Sequence, residues 1–399
     1  INVTAGTSAG LGGSVHIVPP MAIEQAYVAP FAAAIKARLN IPVFVAGRIN
    51  QPQIAEQVLA GGQADMCGMT RAMIADPQMP MKAEAARFDD IRACVACNQA
   101  CIDHMLRGFP ISCIQRPETG RELEFGERGS AALPRRIFVA GGGPGGMKAA
   151  AVAAERGHHV TLCEASGQLG GQALLAQQLP KRAEFGGIVT NLAREMELAG
   201  VEVRLSTPVT VELARSEGAD MVIVATGALA HLPEIEGAED GHVVTAWQVL
   251  TREVNCGGSV VVADWRGDWV GVGIAQMLAL EGRHVRLMTS SHAAGINLQP
   301  YVRDRIVGDL MRMGVAITPY ARLAGVDNDT AYFEQTTTGE AILAEETETV
   351  VLALGHRSQD SLLAALTASG INAEAIGDAL SPRSAEEAVL GGLKVGAAI

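Results

Sequence analysis

Four cysteines fall within twenty residues, in the pattern Cys94-x2-Cys97-x3-Cys101-x11-Cys113. Thiolates are soft ligands, and four at this spacing can wrap a tetrahedral zinc or a cubane iron–sulfur cluster. Zinc ribbons pair two C-x2-C knuckles across a longer loop, so three cysteines this close together favour the cluster. The bland alternative is a set of buried free thiols. Cys67, Cys163 and Cys256 stand alone. This is not the even spread of a secreted disulfide framework, and we expect metal chemistry in a reducing compartment, the cytoplasm.

A second chemical signature follows a polar link over 118–130. Arg136-Ile137-Phe138-Val139-Ala140 reads as a strand, Gly141-Gly142-Gly143-Pro144-Gly145-Gly146 as a loop, and Met147 to Arg156 as a helix. Gly141, Gly143 and Gly146 fit G-x-G-x-x-G. Val160 to Cys163 reads as the next strand and ends in Glu164. Strand, glycine loop, helix, strand and terminal acid form the dinucleotide fingerprint: the glycines let the backbone approach a pyrophosphate, the helix N-terminus favours its charge, and the acid accepts from ribose hydroxyls. Two later stretches have the same strand-then-glycine pattern. Met221 to Val224 runs to Gly227, and Ile376-Gly377-Asp378 ends in a carboxylate that could accept from a flavin's ribityl chain. Taken singly, Asp378 reads as a helix N-cap.

Between them lies another Rossmann-like unit, with strands at Ser259–Ala263 and His284–Met288 and a helix from about Gly271 to Glu281. Its loop should present glycines at 264, 266 and 269, yet it reads Asp264-Trp265-Arg266-Gly267-Asp268-Trp269. Bulky side chains block close backbone approach. The two acids would repel a pyrophosphate by about 1 to 4 kcal/mol per charge pair at ~4 Å. The unit keeps a nucleotide-binding fold and looks unfit for NAD(P)H.

The elements needed to position these residues are those of an α/β protein. Hydrophobic residues make up 48% of 399, enough for a sizeable core, and 45 glycines with 4% aromatics suit many tight strand-to-helix turns. A net charge of -12 argues against a nucleic-acid partner. No apolar run reaches the ~18 residues of a membrane span. Over 1–90 two β-then-α units are expected, with strands at Ile41–Ala46 and Ala64–Gly68 and a helix from Pro52 to Ala60. Arg48 and Arg71 each sit just past a strand's end, where the last loops of a (β/α)8 barrel build a phosphate site; surface ion pairs are the alternative. The chain opens on Ile1-Asn2-Val3-Thr4-Ala5-Gly6, a buried-strand pattern, which leads us to expect upstream sequence or a companion chain.

With these motifs in this order, the sequence resembles the iron–sulfur flavoprotein branch of the old yellow enzyme superfamily, to which trimethylamine dehydrogenase, histamine dehydrogenase and 2,4-dienoyl-CoA reductase belong. The resemblance implies the C-terminal part of an FMN-binding barrel over 1–90, a [4Fe-4S] segment and linker over 91–130, an FAD- or ADP-binding domain over 131–245 plus 357–399, and an inserted degenerate NAD(P)-binding-like domain over 246–356. It implies FMN phosphate contacts from Gly47, Arg48, Thr70 and Arg71, and cluster ligation by Cys94, Cys97, Cys101 and Cys113. The FAD or ADP site would take Gly141, Gly143, Gly146, Glu164 and the turn through Gly171 and Gln172, with Gly227 and Asp378 beside them.

Within the branch, the segments 6–21, 110–115 and 117–122 are similar to the dimethylglycine and N-methylproline demethylases. Trimethylamine dehydrogenase carries an acid in the first of these loops, whereas no carboxylate precedes Glu24 here, and Met105 stands where it has an aromatic. The resemblance therefore implies oxidative demethylation of a small N-methylated amino acid or amine. Electrons would pass through the cluster to an electron-transfer flavoprotein or ferredoxin. The implied assembly is a homo-oligomer or a complex with a chain supplying the rest of the barrel. An enoate or dienoyl-CoA reductase fed by NAD(P)H, and a relay subunit without a substrate site, are the alternatives. His16 reads as a structural histidine or a substrate contact, and no catalytic residue is assigned.

Overall fold

The computed structural model describes residues 1–239 and 241–399. Three parallel sheets follow one another along the chain. The first has three short strands, Asn2–Val3, Phe44–Ala46 and Met66–Gly68, separated by helices that include Ala29–Lys36 and Pro52–Ala60. The expected strand from Ile41 begins only at Phe44. Pro42 has no amide to give, and the Val43 amide donates to the Asp65 carboxylate at 2.8 Å rather than to a ladder.

The second sheet carries five parallel strands in the spatial order Ala373–Ala375, Met221–Val224, Arg136–Ala140, His159–Cys163, Glu202–Arg204. Ile137 to Ala140 are wholly buried, as a central strand covered on both faces requires. The chain proceeds from this strand first to one side and later to the other. That places the loop at 141–146 at the switch point where such sheets bind ligands.

The helix Pro144–Glu155 follows, opened by a proline whose missing amide costs nothing there. It is rich in alanine and packs closely on the last helix, Ala385–Ala398. A Cβ on Gly392 would stand 2.3 Å from the Gly145 carbonyl oxygen. Val95, Ala100 and Ile114 of the cysteine segment share one apolar cluster with Ile137, Leu162 and Leu192. The cysteines are thus anchored to this unit's core.

The third sheet repeats the design, ordered Ala316–Thr318, His284–Thr289, Ser259–Asp264, Thr349–Ala353, Val243–Thr245. It draws on residues just ahead of 246, where the sequence places the insertion's start. An antiparallel sheet over Ala321–Val326, Ala331–Gln335 and Ala341–Ala344 covers it. A two-stranded link, Ala228–Ala230 with His356–Ser358, joins the two units.

Candidate functional site

At the first glycine loop each glycine has a separate reason. Gly141 has φ +115°, and a Cβ there would meet the Ala225 carbonyl oxygen at 2.3 Å; one on Gly146 would meet the Gly141 oxygen at 2.1 Å. Gly143, by contrast, faces open space within 4 Å. A turn glycine, a packing glycine and an uncovered one between them form the cradle a pyrophosphate requires. Glu164 accepts from the Gly142 amide at 2.7 Å and the Ser166 amide at 2.8 Å, which fixes its carboxylate at the strand end. Gly171, at φ +50°, approaches Gly143, so that a Cβ on it would lie 3.2 Å from the Gly143 Cα. Gln172 donates to Asp378 at 3.0 Å and lies beside Gly227. The fold thus gathers residues 141–146, 164, 171–172, 227 and 378. Asp378 is not a helix N-cap: its other oxygen accepts from the Arg383 amide at 3.1 Å, and Ser384 caps the last helix.

All four clustered cysteines are free thiols lining one cavity. The chain wraps it by placing Ala96 and Asn98, on either side of Cys97, in the left-handed region at φ 47° and 60°. Asn50 and Gln115 brace the loop by donating to the Cys94 and Ala93 carbonyls at 2.6 and 2.8 Å, and Asn98 reaches the Val18 carbonyl at 2.7 Å. Backbone amides point at the sulfurs, that of Ala96 at Cys94 and those of Gln115 and Arg116 at Cys113. Burial pushes the Cys97 and Cys101 thiols up and carries Cys113 to about 11, and charge on neighbouring cysteines, Cys101 beside Cys97 and Cys94 beside the other two, adds to it. Among the described residues, no three His, Cys, Asp or Glu side chains are gathered so as to hold a single metal ion.

In the first sheet, Gly47–Arg48 and Thr70–Arg71 follow adjacent parallel strands. Arg48 is buried, and its guanidinium forks onto Glu184 while Nε donates to the Ile23 carbonyl at 2.9 Å. Its ion pair is therefore an internal bolt to the first nucleotide unit, not a surface contact. Arg71 donates Nη1 to Asn98 at 2.8 Å. His16 sits 3.2 Å from the Tyr27 hydroxyl, and Met105 is exposed.

The second unit's loop is closed from within. Asp264 is completely buried, and one carboxyl oxygen accepts from the Arg266 and Gly267 amides at 3.0 and 2.9 Å. Its other oxygen has no partner. The carboxyl lies against Gly271, where a Cβ would come within 2.5 Å of it. Burial, together with the charge of Asp268, pushes Asp264 up to about 7 against the pull of the two amides. The amides that a pyrophosphate would need already hold a carboxyl group.

Two family profiles match in sequence. Residues 135–379 match the pyridine nucleotide-disulphide oxidoreductases, and residues 18–90 match the NADH:flavin oxidoreductase / NADH oxidase family. The chain belongs to the pyridine nucleotide-disulphide oxidoreductase family. With a segment matching the flavin oxidoreductases ahead of it, the chain has the module order of the iron–sulfur flavoprotein branch of the old yellow enzyme superfamily. It is 33% identical over 405 residues to a metal reductase of Desulforamulus reducens, covering 93% of this chain and 59% of the relative. It is 37% identical over 289 residues to the N,N-dimethylglycine/sarcosine dehydrogenase of Chromohalobacter salexigens, covering 70% and 42%. The solved 2-naphthoyl-CoA reductase superposes with a TM-score of 0.91 at 26% identity, covering all of this chain and 60% of that one. The chain thus spans about three fifths or less of each of these proteins.

Sequence reasoning missed the polar residues that hold the modules together. Lys148, on the helix after the glycine loop, is buried between Glu118 at 3.0 Å and Glu195 at 3.1 Å. Arg92 joins Glu195, and Arg128 joins Glu118 at 3.1 Å. Burial works to raise Glu118, but Lys148, a backbone amide and Arg92 overcome it and hold the carboxyl at about 2. A single lysine inside the run Met147–Ala154 was the available signal, since a buried charge must find a partner. Arg182 was also missed. It is 2% exposed, and burial draws it down to about 9. Among the described residues, no helix is long and apolar enough to cross a membrane.

Proposed function

We propose that this chain is the greater part of an FMN-, FAD- or ADP- and [4Fe-4S]-dependent dehydrogenase that oxidatively demethylates a small N-methylated amino acid or amine. The observation that carries the direction of electron flow is Asp264, seated on the amides that NAD(P)H would need. It supports an exit to a protein acceptor, an electron-transfer flavoprotein or ferredoxin, over entry from a nicotinamide. The 37% identity to a dimethylglycine/sarcosine dehydrogenase supports the substrate class. A flavin held by these residues would supply hydride acceptance from the N-methyl carbon and a cluster held by the four cysteines single-electron transfer, with water taking the oxidised amine to formaldehyde and the demethylated amine.

The residues fit these groups. Gly143 leaves room for a pyrophosphate, Glu164 is positioned for ribose hydroxyls, and Gln172 with Asp378 brackets the adjoining chain of a dinucleotide. A cubane needs its thiolates spread around a cavity rather than drawn onto one ion, and amides aimed at sulfur favour its charge. For FMN phosphate, Gly47, Thr70 and Arg71 are the available set, with Arg48 committed to Glu184. A homo-oligomer, or a complex that completes the barrel, belongs to the same reading.

The 2-naphthoyl-CoA reductase similarity favours a second reading, reduction of an unsaturated acyl group, for which electrons would enter from NAD(P)H. Mixing the substrate-reduced full-length enzyme with NAD+ separates the two. Absence of NADH with prompt reduction of an electron-transfer flavoprotein is expected; stoichiometric NADH formation would reject the proposed exit.

A further inference from the structure

A nucleotide loop that has simply lost its function leaves one change without a role: the third glycine has become Trp269. Arg182 sits over its indole, the guanidinium carbon standing 3.6 Å from that ring's centroid and 4.7 Å from the centroid of the Phe185 ring. Arg182 is 2% exposed, and Nε and Nη1 are buried without a hydrogen-bond partner. Among the described residues it forms no ion pair. The nearby carboxylates are already taken, Asp268 by Arg266 at 3.2 Å and Asp309 by Arg305 and Arg312 at 3.0 and 2.7 Å.

Burying a cation without a counter-ion is strongly unfavourable, and two aromatic faces offset only part of that cost. An anion must complete the site. Arg182 lines a cavity together with Ala96, Cys97 and Trp269, which places it on the side of the cysteine loop that carries Cys97. Four thiolates outweigh the positive charge of the iron–sulfur core they hold, leaving the whole group anionic.

We propose that Arg182 is the counter-cation of the cluster, clamped in place by Trp269, and that it raises the cluster's reduction potential. The inference rests on the cluster reading given above. Reduction adds one more negative charge to the site. A fixed cation on the Cys97 side of the site, in a poorly solvated environment, stabilises the reduced form more than the oxidised one. Arg182 acts through the cluster as a tuning residue and touches no substrate. Trp269 is then a retained part of the electron path's electrostatics, which explains a tryptophan where a silenced loop needed no particular residue.

The test is a redox titration of the full-length holoenzyme with dithionite, followed by electron paramagnetic resonance, beside iron and acid-labile sulfide assays. R182M, with iron and sulfide retained, is expected to lower the cluster's reduction equilibrium constant at least tenfold, which is 59 mV for a one-electron couple. R182K keeps the charge and is expected to stay within threefold of the wild type. W269L is expected to move the potential downward as well. An unchanged potential in iron-replete R182M overturns the proposal. Should R182M lose its iron, W269L decides, and no downward shift there overturns it. Wild-type enzyme lacking iron and sulfide would overturn both this proposal and the cluster reading, and so is distinguishable from an unshifted potential.

Discussion

Replacing Asp264 by Asn removes a titration without removing the acceptor that the loop amides use. The folded carboxyl titrates at about 7 and an unfolded one at roughly 3.9. Between these values the folded chain keeps a proton that the unfolded chain has lost, so stability falls as pH rises through the window and levels off above it. A gap of about three pH units corresponds to about 4 kcal/mol, an order-of-magnitude figure. D264N is therefore expected to match the wild type near pH 4 and to exceed it by up to about 4 kcal/mol at pH 8. Trp247, Trp265 and Trp269, the three tryptophans of this 399-residue chain, all lie in the second unit, so within the chain their fluorescence reports that unit's unfolding. Denaturation midpoints followed this way should separate steadily between pH 4 and 8. Parallel pH dependences for the two proteins would refute the picture of a protonated carboxyl plugging the loop.

Three further predictions read out the other sites. G146A places a methyl group 2.1 Å from the Gly141 oxygen, and the dinucleotide recovered from purified protein should fall at least tenfold; full occupancy would contradict the assigned cradle. E118Q removes a carboxylate held at about 2, whose stabilisation is present above the unfolded value near 4.3 and lost as pH falls toward 2. Urea unfolding should show a deficit of about 3 kcal/mol at pH 7 that closes over that acidic window. G392A drives a Cβ to 2.3 Å from the Gly145 oxygen, and overpacking of about 1–3 kcal/mol should lower the thermal midpoint while I306V, in the other unit's core, leaves the dinucleotide content unchanged.

The parts that sequence carries well are those written in contiguous residues. The glycine loop at 141–146, its flanking strands and the acid at 164 form one local pattern, and the structure keeps them in one place. The fate of Arg48 could not be read, because its partner Glu184 lies 136 positions away and neither residue is unusual where it stands. Asp378 was misleading for a related reason. Local rules favour Asp as a cap, and a hydrogen bond from Gln172, remote in sequence, decides otherwise. Strand ends shifted where one side chain intercepted a backbone donor, as Asp65 does at Val43.

The two nucleotide units of this chain are a built-in comparison of what a glycine loop does when it is kept and when it is replaced. Both place a strand, a turn and a helix N-terminus at a switch point. In the first, Gly143 opens the turn and the acid sits one strand away, at 164, where it fixes the loop without filling it. In the second, the acid sits on the turn itself and consumes the loop's amides. Asp264 supplies the hydrogen-bond acceptor for the turn's own amides, and Gly271 leaves room for it. A loop stabilised from within no longer depends on ligand for its shape. It can then devote its helix N-terminus to presenting Trp269 to Arg182. Loss of one binding site and construction of the cation clamp are, on this view, one structural change.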